Sequence, residues 1–437
     1  MLALSVALVG SGACAAAPAG AAAVPSTPVA WVSALTTTSA NVSWNAAPGA
    51  TRYDVFRNGR RVATITGTTM RMARLTPATW YGIRVRARIG TRTSPLSDMV
   101  PVVTPAPVTC TRWAQSTGSD SNVGTQQQPL RSVQRLVNGL APGEVGCVVG
   151  AISEDVSISA SGTSTAPIVL RSAPGTRATL TGRLQIAKGA SHIVVAALRL
   201  DGRAINGLGD ADLPSPTVNG SDARFLDNDI TNQRTRVCFV IGSIRGWGRA
   251  QSTLLARNRI HDCGLRDSND RGNNHHHGVY VEGADDTRIV NNVIFQNADR
   301  GIQLYPDARG TLVIGNVLDG NGEGIIFSGA EGYASSSNTV LRNVVTNSRT
   351  RSDIEHWWAD PAKPGTRNLV ARNCVGGGNE GAFALPIVGY TARENVLGRP
   401  SFTDAARGDL RLRSRVGTAS CAMWMRSRGI PLAPFTQ

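Results

Sequence analysis

One short pattern returns along residues 236–395 and restricts what this chain can fold into more than any other feature. It reads HGVYV at His277–Val281, RGIQL at Arg300–Leu304 and EGIIF at Glu323–Phe327, which spaces Gly278, Gly301 and Gly324 at 23-residue intervals. A second marker, Asn-x-aliphatic, begins at Asn228, Asn258, Asn292, Asn316, Asn343, Asn373 and Asn395. A period of about 20–30 residues built from short β-type runs denotes a solenoid, because each unit is too small to bury its own apolar face and must stack on the next. An Asn at the same place in every turn suits a bend. There its amide can bond its own backbone and the equivalent Asn one strand spacing, about 4.8 Å, away.

The chain has 437 residues, enough for two or three domains. Residues 1–23 are small and apolar and read as a secretory signal peptide with cleavage near Ala21–Ala23. No other stretch approaches the roughly 20 apolar residues of a membrane span, so no integral membrane segment is expected. Beyond the leader stand Cys110, Cys147, Cys238, Cys263, Cys374 and Cys421. An even number in an exported chain favours disulfides, and sequence alone leaves the connectivity open. The expected pairs are Cys110–Cys147, Cys238–Cys263 and Cys374–Cys421, each stapling neighbouring coils or a terminus.

The net charge of +15 is uneven: residues 27–105 hold ten Arg against Asp54 and Asp98. In an exported chain this favours an extracellular or cell-wall polyanion, an acidic polysaccharide, over nucleic acid. A monomer is expected.

Residues 27–105 alternate as short strands: Val42-Ser43-Trp44, then Tyr53-Asp54-Val55-Phe56 before the turn Asn58-Gly59, then GIRVRAR after Tyr81. With Leu75-Thr76-Pro77 between Trp44 and Tyr81, this stretch resembles a fibronectin type III domain. The resemblance makes Tyr81 the corner tyrosine whose hydroxyl bonds backbone upstream. The sandwich carries no catalytic constellation, and a spacer is the simpler reading beside a polysaccharide-binding module. After the linker at Thr104–Pro107, Leu130, Val133, Leu136, Val137 and Leu140 recur at helical spacing. A helix there would cap the open end of the solenoid.

The repeat itself resembles the right-handed parallel β-helix of pectate lyases, polygalacturonases, alginate lyases and mannuronan epimerases. The expected architecture is therefore all-β: a leader at 1–23, a sandwich at 27–105, and a right-handed parallel β-helix with an N-terminal capping helix at 108–437. The motifs that carry chemistry in those families do not transfer. The Asn-Thr-Asp and Gly-His-Gly sequences of polygalacturonases and the Asp-Pro-His-Asp of mannuronan epimerases are absent.

Departures from the period mark the expected binding face. The largest insertion runs from Cys263 to His275, and longer loops follow Cys238, Ile325 and Ile354. Strand alternation assigns Cys238, Val240, Val279, Val281, Ile302, Leu304, Ile325 and Phe327 to the core. It turns Phe239, Tyr280, Gln303, Ile326 and Glu355 outward, with a Gly two positions earlier. A column Arg236, His277, Arg300 and Glu323 is expected at the bend.

β-Elimination of a uronate polymer needs a base, an acid and a carboxylate neutraliser. His277, Tyr280 and Arg300 could supply them within two coils. Arg266, Arg271, His275, His276, Gln303, Glu355, Trp357 and Trp358 are candidate substrate contacts, the two tryptophans as exposed stacking platforms. Asp267 and Asp270 could hold Ca²⁺, although DSND is short of a full ligand set. Three alternatives stay open: a structural polar ladder in which Arg300 pairs with Glu323, a glycoside hydrolase using Asp353 and Glu355, and a non-catalytic glycan-binding protein.

Overall fold

The computed structural model describes residues 24–203, 205, 214–232, 237–265, 275–412 and 421. From Ala30 to Val103 the chain forms two antiparallel sheets. One holds Ala30–Leu35, Ala40–Trp44 and Thr69–Met72; the other is built on Arg52–Arg57, Arg60–Ile65, Trp80–Ile89 and Val100–Val103. The inward faces meet over Trp44, Tyr53, Val55, Ile83 and Val85. The Tyr81 hydroxyl accepts from Thr76 N at 2.8 Å, which is the expected corner. Asp54 is fully buried and gathers Thr64 Oγ1 (2.6 Å), Arg86 Nε (2.9 Å) and Arg88 (3.4 Å). Burial acts to raise its pKa, but these partners hold it below the ordinary value. Part of the sandwich's basic surplus is thus spent on its own carboxylate.

From Arg112 onward the inner coils each deliver a short strand to each of three parallel sheets and the terminal coils to fewer, a right-handed parallel β-helix. The first sheet runs from Arg112–Gln115 to Tyr390–Arg393, the second from Ala151–Ser153 to Val396–Leu397, and the third from Val156–Ile158 to Ile354–Trp358. A single core of stacked Val, Ile, Leu and Phe fills the interior. The helix Val133–Asn138 closes its N-terminal end, with Leu130, Val133, Leu136, Val137 and Leu140 all in the core. Glu154 pins that helix by accepting from Ser132 Oγ (2.6 Å) and Val133 N (2.7 Å), satisfying a donor its first turn cannot. The three expected disulfides form, with Cα–Cα distances of 5.7, 5.5 and 5.7 Å.

The corner between the first and second sheets explains the Asn-x-aliphatic repeat. The residue before each Asn lies in the left-handed region: φ is 60° at Asp227, 55° at Arg257, 57° at Arg342 and 55° at Arg372. That conformation costs a non-glycine residue about 1–2 kcal/mol. A buried amide ladder offsets it: each Asn donates Nδ2 to the next Asn Oδ1, from Asn228 through Asn258, Asn292, Asn316, Asn343 and Asn373 to Asn395. Below the ladder Leu198 occupies the same place and its N–H donates to Asn228 Oδ1 at 3.1 Å. Asn292→Ala would leave the buried Asn258 N–H without its acceptor and remove the side-chain donor to the Leu255 carbonyl. We expect it to cost about 2–3 kcal/mol. Asn395→Ala, at the half-exposed last rung, should cost clearly less. Equal losses in denaturant titrations would contradict a ladder satisfied from both sides.

The first sheet is buried on both faces. Ile168, Leu170, Ile193, Val195 and Leu255 point into the solenoid, while Val169, Val194, Leu226, Leu254, Val290 and Ile314 pack outward with Ala78, Val103 and Ala106. The sandwich therefore lies against the solenoid and does not act as a spacer held away from it. The left-handed corner arginines reach across the joint: Arg257 donates to Val103 O at 2.9 Å, Arg342 to Met99 O, and Arg372 pairs with Asp98.

Two assignments from alternation need correction. Phe239 and Ile241 are the core residues of their strand, pairing with Val279 and Val281, whereas Val240 shares the outward column of Tyr280. The disulfide at Cys238 starts the strand one residue out of phase with a simple count. The glycines of the repeat face inward, not outward. A Cβ on Gly301 would meet Leu318 Cδ2 at 2.8 Å, and one on Gly324 would meet Val345 Cγ1 at 2.5 Å. The recurrent Gly is what lets the third sheet start so close to the second.

Candidate active site

The third sheet's outer face carries a continuous register column of Val240, Tyr280, Gln303, Ile326 and Glu355, one residue per coil. Tyr305 lies two residues beyond Gln303, and Trp357 two beyond Glu355. The rings of Tyr280 and Tyr305 are 6.3 Å apart at 25°, and those of Tyr305 and Trp357 6.4 Å apart at 52°. Trp357 is 53% exposed. This aromatic line crosses the strands Val279–Asp285, Arg300–Arg309 and Ile354–Trp358.

Beneath the bend that starts these strands lies a buried charge cluster. Arg300 Nε sits 2.9 Å from Glu323 Oε2 and its Nη1 3.0 Å from Asp299 Oδ2. Arg351 reaches Glu323 Oε1 at 3.2 Å. His277 Nδ1 is 3.0 Å from Asp299 Oδ2, a close contact whose N–H direction misses the oxygen, so that nitrogen has no aligned acceptor. The residues expected to form a column do stack, Arg300 and Glu323 being register partners. Arg236 lies outside the described residues.

Burial decides the electrostatics. It lowers the His277 pKa, with Arg300 and His275 adding to the effect and Asp299 opposing it. Burial pushes the Glu323 carboxyl up to about 7 although Arg300 and Arg351 pull it down. The Tyr280 phenol is pushed above its ordinary value by burial, with Glu282 and Tyr305 adding to the effect. Glu355 and Glu282 are both raised by burial.

These placements revise the expected roles. His277 is only 2% exposed and Arg300 is buried between two carboxylates, so both lie beneath the outer face of the third sheet and Arg300 presents no free fork to a substrate. Trp358 is not an exposed platform. It is buried in the solenoid core, and its Nε1 donates to Val388 O at 3.2 Å, because strand alternation turns it opposite to Trp357. Asp353 is fully buried, accepting from Ser348 N (3.1 Å) and Oγ (2.7 Å) and Gly378 N (3.0 Å), and therefore does not pair with Glu355 in the groove. Tyr280, Gln303 and Glu355 fall in the outward register column as expected, but Gln303 and Glu355 are buried there, and Glu355 accepts from Ser352 N at 2.8 Å. The three consecutive histidines diverge: His275 is exposed, His276 Nδ1 accepts from Leu265 N at 3.0 Å, and only His277 turns inside. Arg266, Asp267, Asp270 and Arg271 lie outside the described residues. Among the described residues no group of three or more His, Cys, Asp or Glu side chains is arranged to hold a metal. Tyr305 and Asp299 were not foreseen; continuing the alternation two residues past Gln303 would have found the tyrosine.

The family model described as periplasmic copper-binding protein (NosD) matches residues 247–379. Among curated proteins, Chitinase 63 of Streptomyces plicatus is 46% identical and Chitinase C of Streptomyces lividans 45% identical, each over 84 residues. Those matches cover 18% of this chain and 13% of each chitinase. Among solved structures, pectate lyase Pel9A is similar at 14% identity over 66% of this chain and 80% of its own, with a TM-score of 0.45. XylC in complex with xylose is similar at 12% identity over 64% and 69%, with a TM-score of 0.44. The small domain FN3tt is 21% identical over 20% of this chain and 99% of its own, with a TM-score of 0.19.

Proposed function

We propose that this chain is an exported carbohydrate-active protein that holds a glycan along the outer face of the third sheet. The aromatic line Tyr280–Tyr305–Trp357 carries this reading. Three rings at steps of 6.3 and 6.4 Å on one rigid sheet form a platform on which sugar faces can stack, and Trp357 stands 53% exposed on its strand. Gln303 adds a polar anchor: it is largely buried on the same face and its Oε1 has no hydrogen-bond partner. The three disulfides fit an oxidising compartment outside the cytoplasm. No helix among the described residues is long and apolar enough to cross a membrane.

Cleavage of the bound polymer is the second reading, and Glu355 favours it. A carboxyl on this face whose pKa is raised by burial can exchange a proton with a sugar, as acid to a leaving oxygen or as base at a uronate C5. An acidic, uronate-containing polysaccharide remains the proposed substrate class, with Arg351, partly exposed and paired with Glu323, the cation that would face its carboxylate.

Trp357→Ala should weaken retention on the responsive polymer of an acidic-polysaccharide panel by about tenfold with little change in melting temperature. Glu355→Gln should abolish product formation, followed as unsaturated uronate absorbance or new reducing ends, while leaving affinity in place. If no polymer is retained by the parent, or if Trp357→Ala binds as the parent does, the groove assignment fails. If retention holds and no product appears, the protein binds without cutting.

A further inference from the structure

The sandwich and the solenoid enclose a second cavity, of about 650 Å³, on the side of the molecule formed by the first sheet. Phe56, Trp80 and Arg84 line it from the sandwich, and Arg224, Leu254 and Arg288 from the solenoid. The solenoid residues occupy one outward register row: Arg224 pairs with Leu254, and Leu254 with Arg288, which sets the two arginines two strand spacings apart, about 10 Å. The Arg288 guanidinium lies 5.0 Å from the Trp80 ring centroid, and Arg224 Nη1 is 3.5 Å from Thr79 Oγ1.

Charge in this cavity is not balanced. None of Arg84, Arg224 and Arg288 forms an ion pair among the described residues. Asp222 is the one carboxylate in the lining, and it faces His192 Nδ1 at 3.9 Å. Burial pulls the Arg224 pKa below its ordinary value, with only Asp222 and Tyr81 opposing. Trp80 Nε1 is buried without an acceptor in the same wall. Most other arginines along this joint are satisfied by Val103 O, Met99 O, Asp98 or Asp227. Arg288 Nη1 donates to Asp286 O at 3.2 Å, but three guanidinium groups with no ion pair among the described residues converge on a roomy cavity with two aromatic walls.

We infer that this interdomain cavity is a binding site for an acidic sugar, its carboxylate held by Arg224 and Arg288 and its ring laid against Trp80 and Phe56. Guanidinium forks match a carboxylate geometrically, and aromatic walls match the apolar face of a sugar ring. The volume falls within the range of small-ligand sites, about 300–1,000 Å³. The site is independent of the groove on the third sheet, and it would let one acidic polymer engage both domains.

The test is calorimetric titration of the full chain with trigalacturonate, its methyl ester and inorganic phosphate. Arg84 is exposed and bridges nothing between the domains, so Arg84→Gln should keep the parent's melting temperature. It should weaken trigalacturonate binding at the cavity about threefold, and Arg224→Met about tenfold, with steeper loss for the parent than for either variant as salt rises. Trp357→Ala should leave this binding event in place, which separates it from the groove. Should Arg224→Met fail to fold, Arg84→Gln alone decides. Unchanged affinity in Arg84→Gln and in any folded Arg224→Met, or equal binding of acid and ester, overturns the site. Phosphate binding as tightly as trigalacturonate would reduce it to a simple anion hole and overturn the sugar assignment.

Discussion

Removing residues 27–105 is expected to yield a protein that associates or precipitates, not a free-standing solenoid. The sandwich covers Val169, Val194, Leu226, Leu254, Val290 and Ile314 on the outer face of the first sheet. Fully re-exposing a Val, Leu or Ile side chain costs about 1.5–3 kcal/mol, so even partial exposure of six approaches the whole stability of an ordinary domain. A contiguous aliphatic patch on a flat parallel sheet is also a site for self-association. The truncation further strips Arg257, Arg342 and Arg372 of the partners they reach in the sandwich. Light scattering and thermal melts of residues 106–437 against the full chain measure this directly. A soluble monomer with the parent's melting temperature would show that the contact is incidental. The outcome matters for function because the inferred second site needs both walls.

The other large effect is expected at Arg300. Arg300→Met fills a similar volume but leaves Glu323 and Asp299 buried beside a missing cation. Breaking a buried pair from one side costs about 3–5 kcal/mol. The double variant Arg300→Met/Glu323→Gln should recover more than half of that, because it removes the stranded charge. The pH dependence has a definite sign. Glu323 binds its proton more tightly folded than unfolded, its pKa rising from 4.5 to about 7. Its burial therefore costs nothing below about pH 4.5, and stability falls as pH rises through about 7. Without Arg300 that fall should steepen, so the deficit of the single variant should be largest near pH 8 and shrink toward pH 5.5. His277 acts oppositely: its lowered pKa makes stability fall as pH drops below the ordinary imidazole value of 6.5. Arg300 adds to that lowering, so its loss should ease the His277 penalty at low pH and narrow the deficit further toward pH 5.5. If the variant matches the parent in denaturant melts at pH 8, the cluster is not what holds this bend. The same experiment separates stability from turnover, since an active, destabilised Arg300→Met would confirm that Arg300 lies under the site and not in it.

Much of this architecture is local or periodic, and for that reason the sequence by itself determined it. The Asn-x-aliphatic marker specified the corner because an amide ladder requires the same residue at the same place in every coil. Tyr81 was legible because its hydroxyl bonds backbone only five residues away. The cap helix followed from five apolar residues at helical spacing, whereas the disulfide pairing, open in the sequence, was settled by which coils the fold stacks together. Along the groove, alternation placed Tyr280, Gln303, Ile326 and Glu355 on one face.

Only the tertiary structure decided depth and partners. Alternation says which way a side chain points but not whether another element covers it, and so His277 and Arg300 turned out to be buried and Trp358 part of the core. It also fails where a bend breaks the count, as at Cys238 and at the inward-facing glycines. The docking of the sandwich was invisible for the same physical reason. Both faces of the first sheet are apolar, a pattern that reads equally as a core strand, and the arginines that seal the joint bond carbonyls more than 150 residues away. A basic surplus in the sequence read as attraction for a polymer. In the folded chain part of it is spent on Asp54, and Arg84 of the sandwich joins Arg224 and Arg288 of the solenoid around the interdomain cavity.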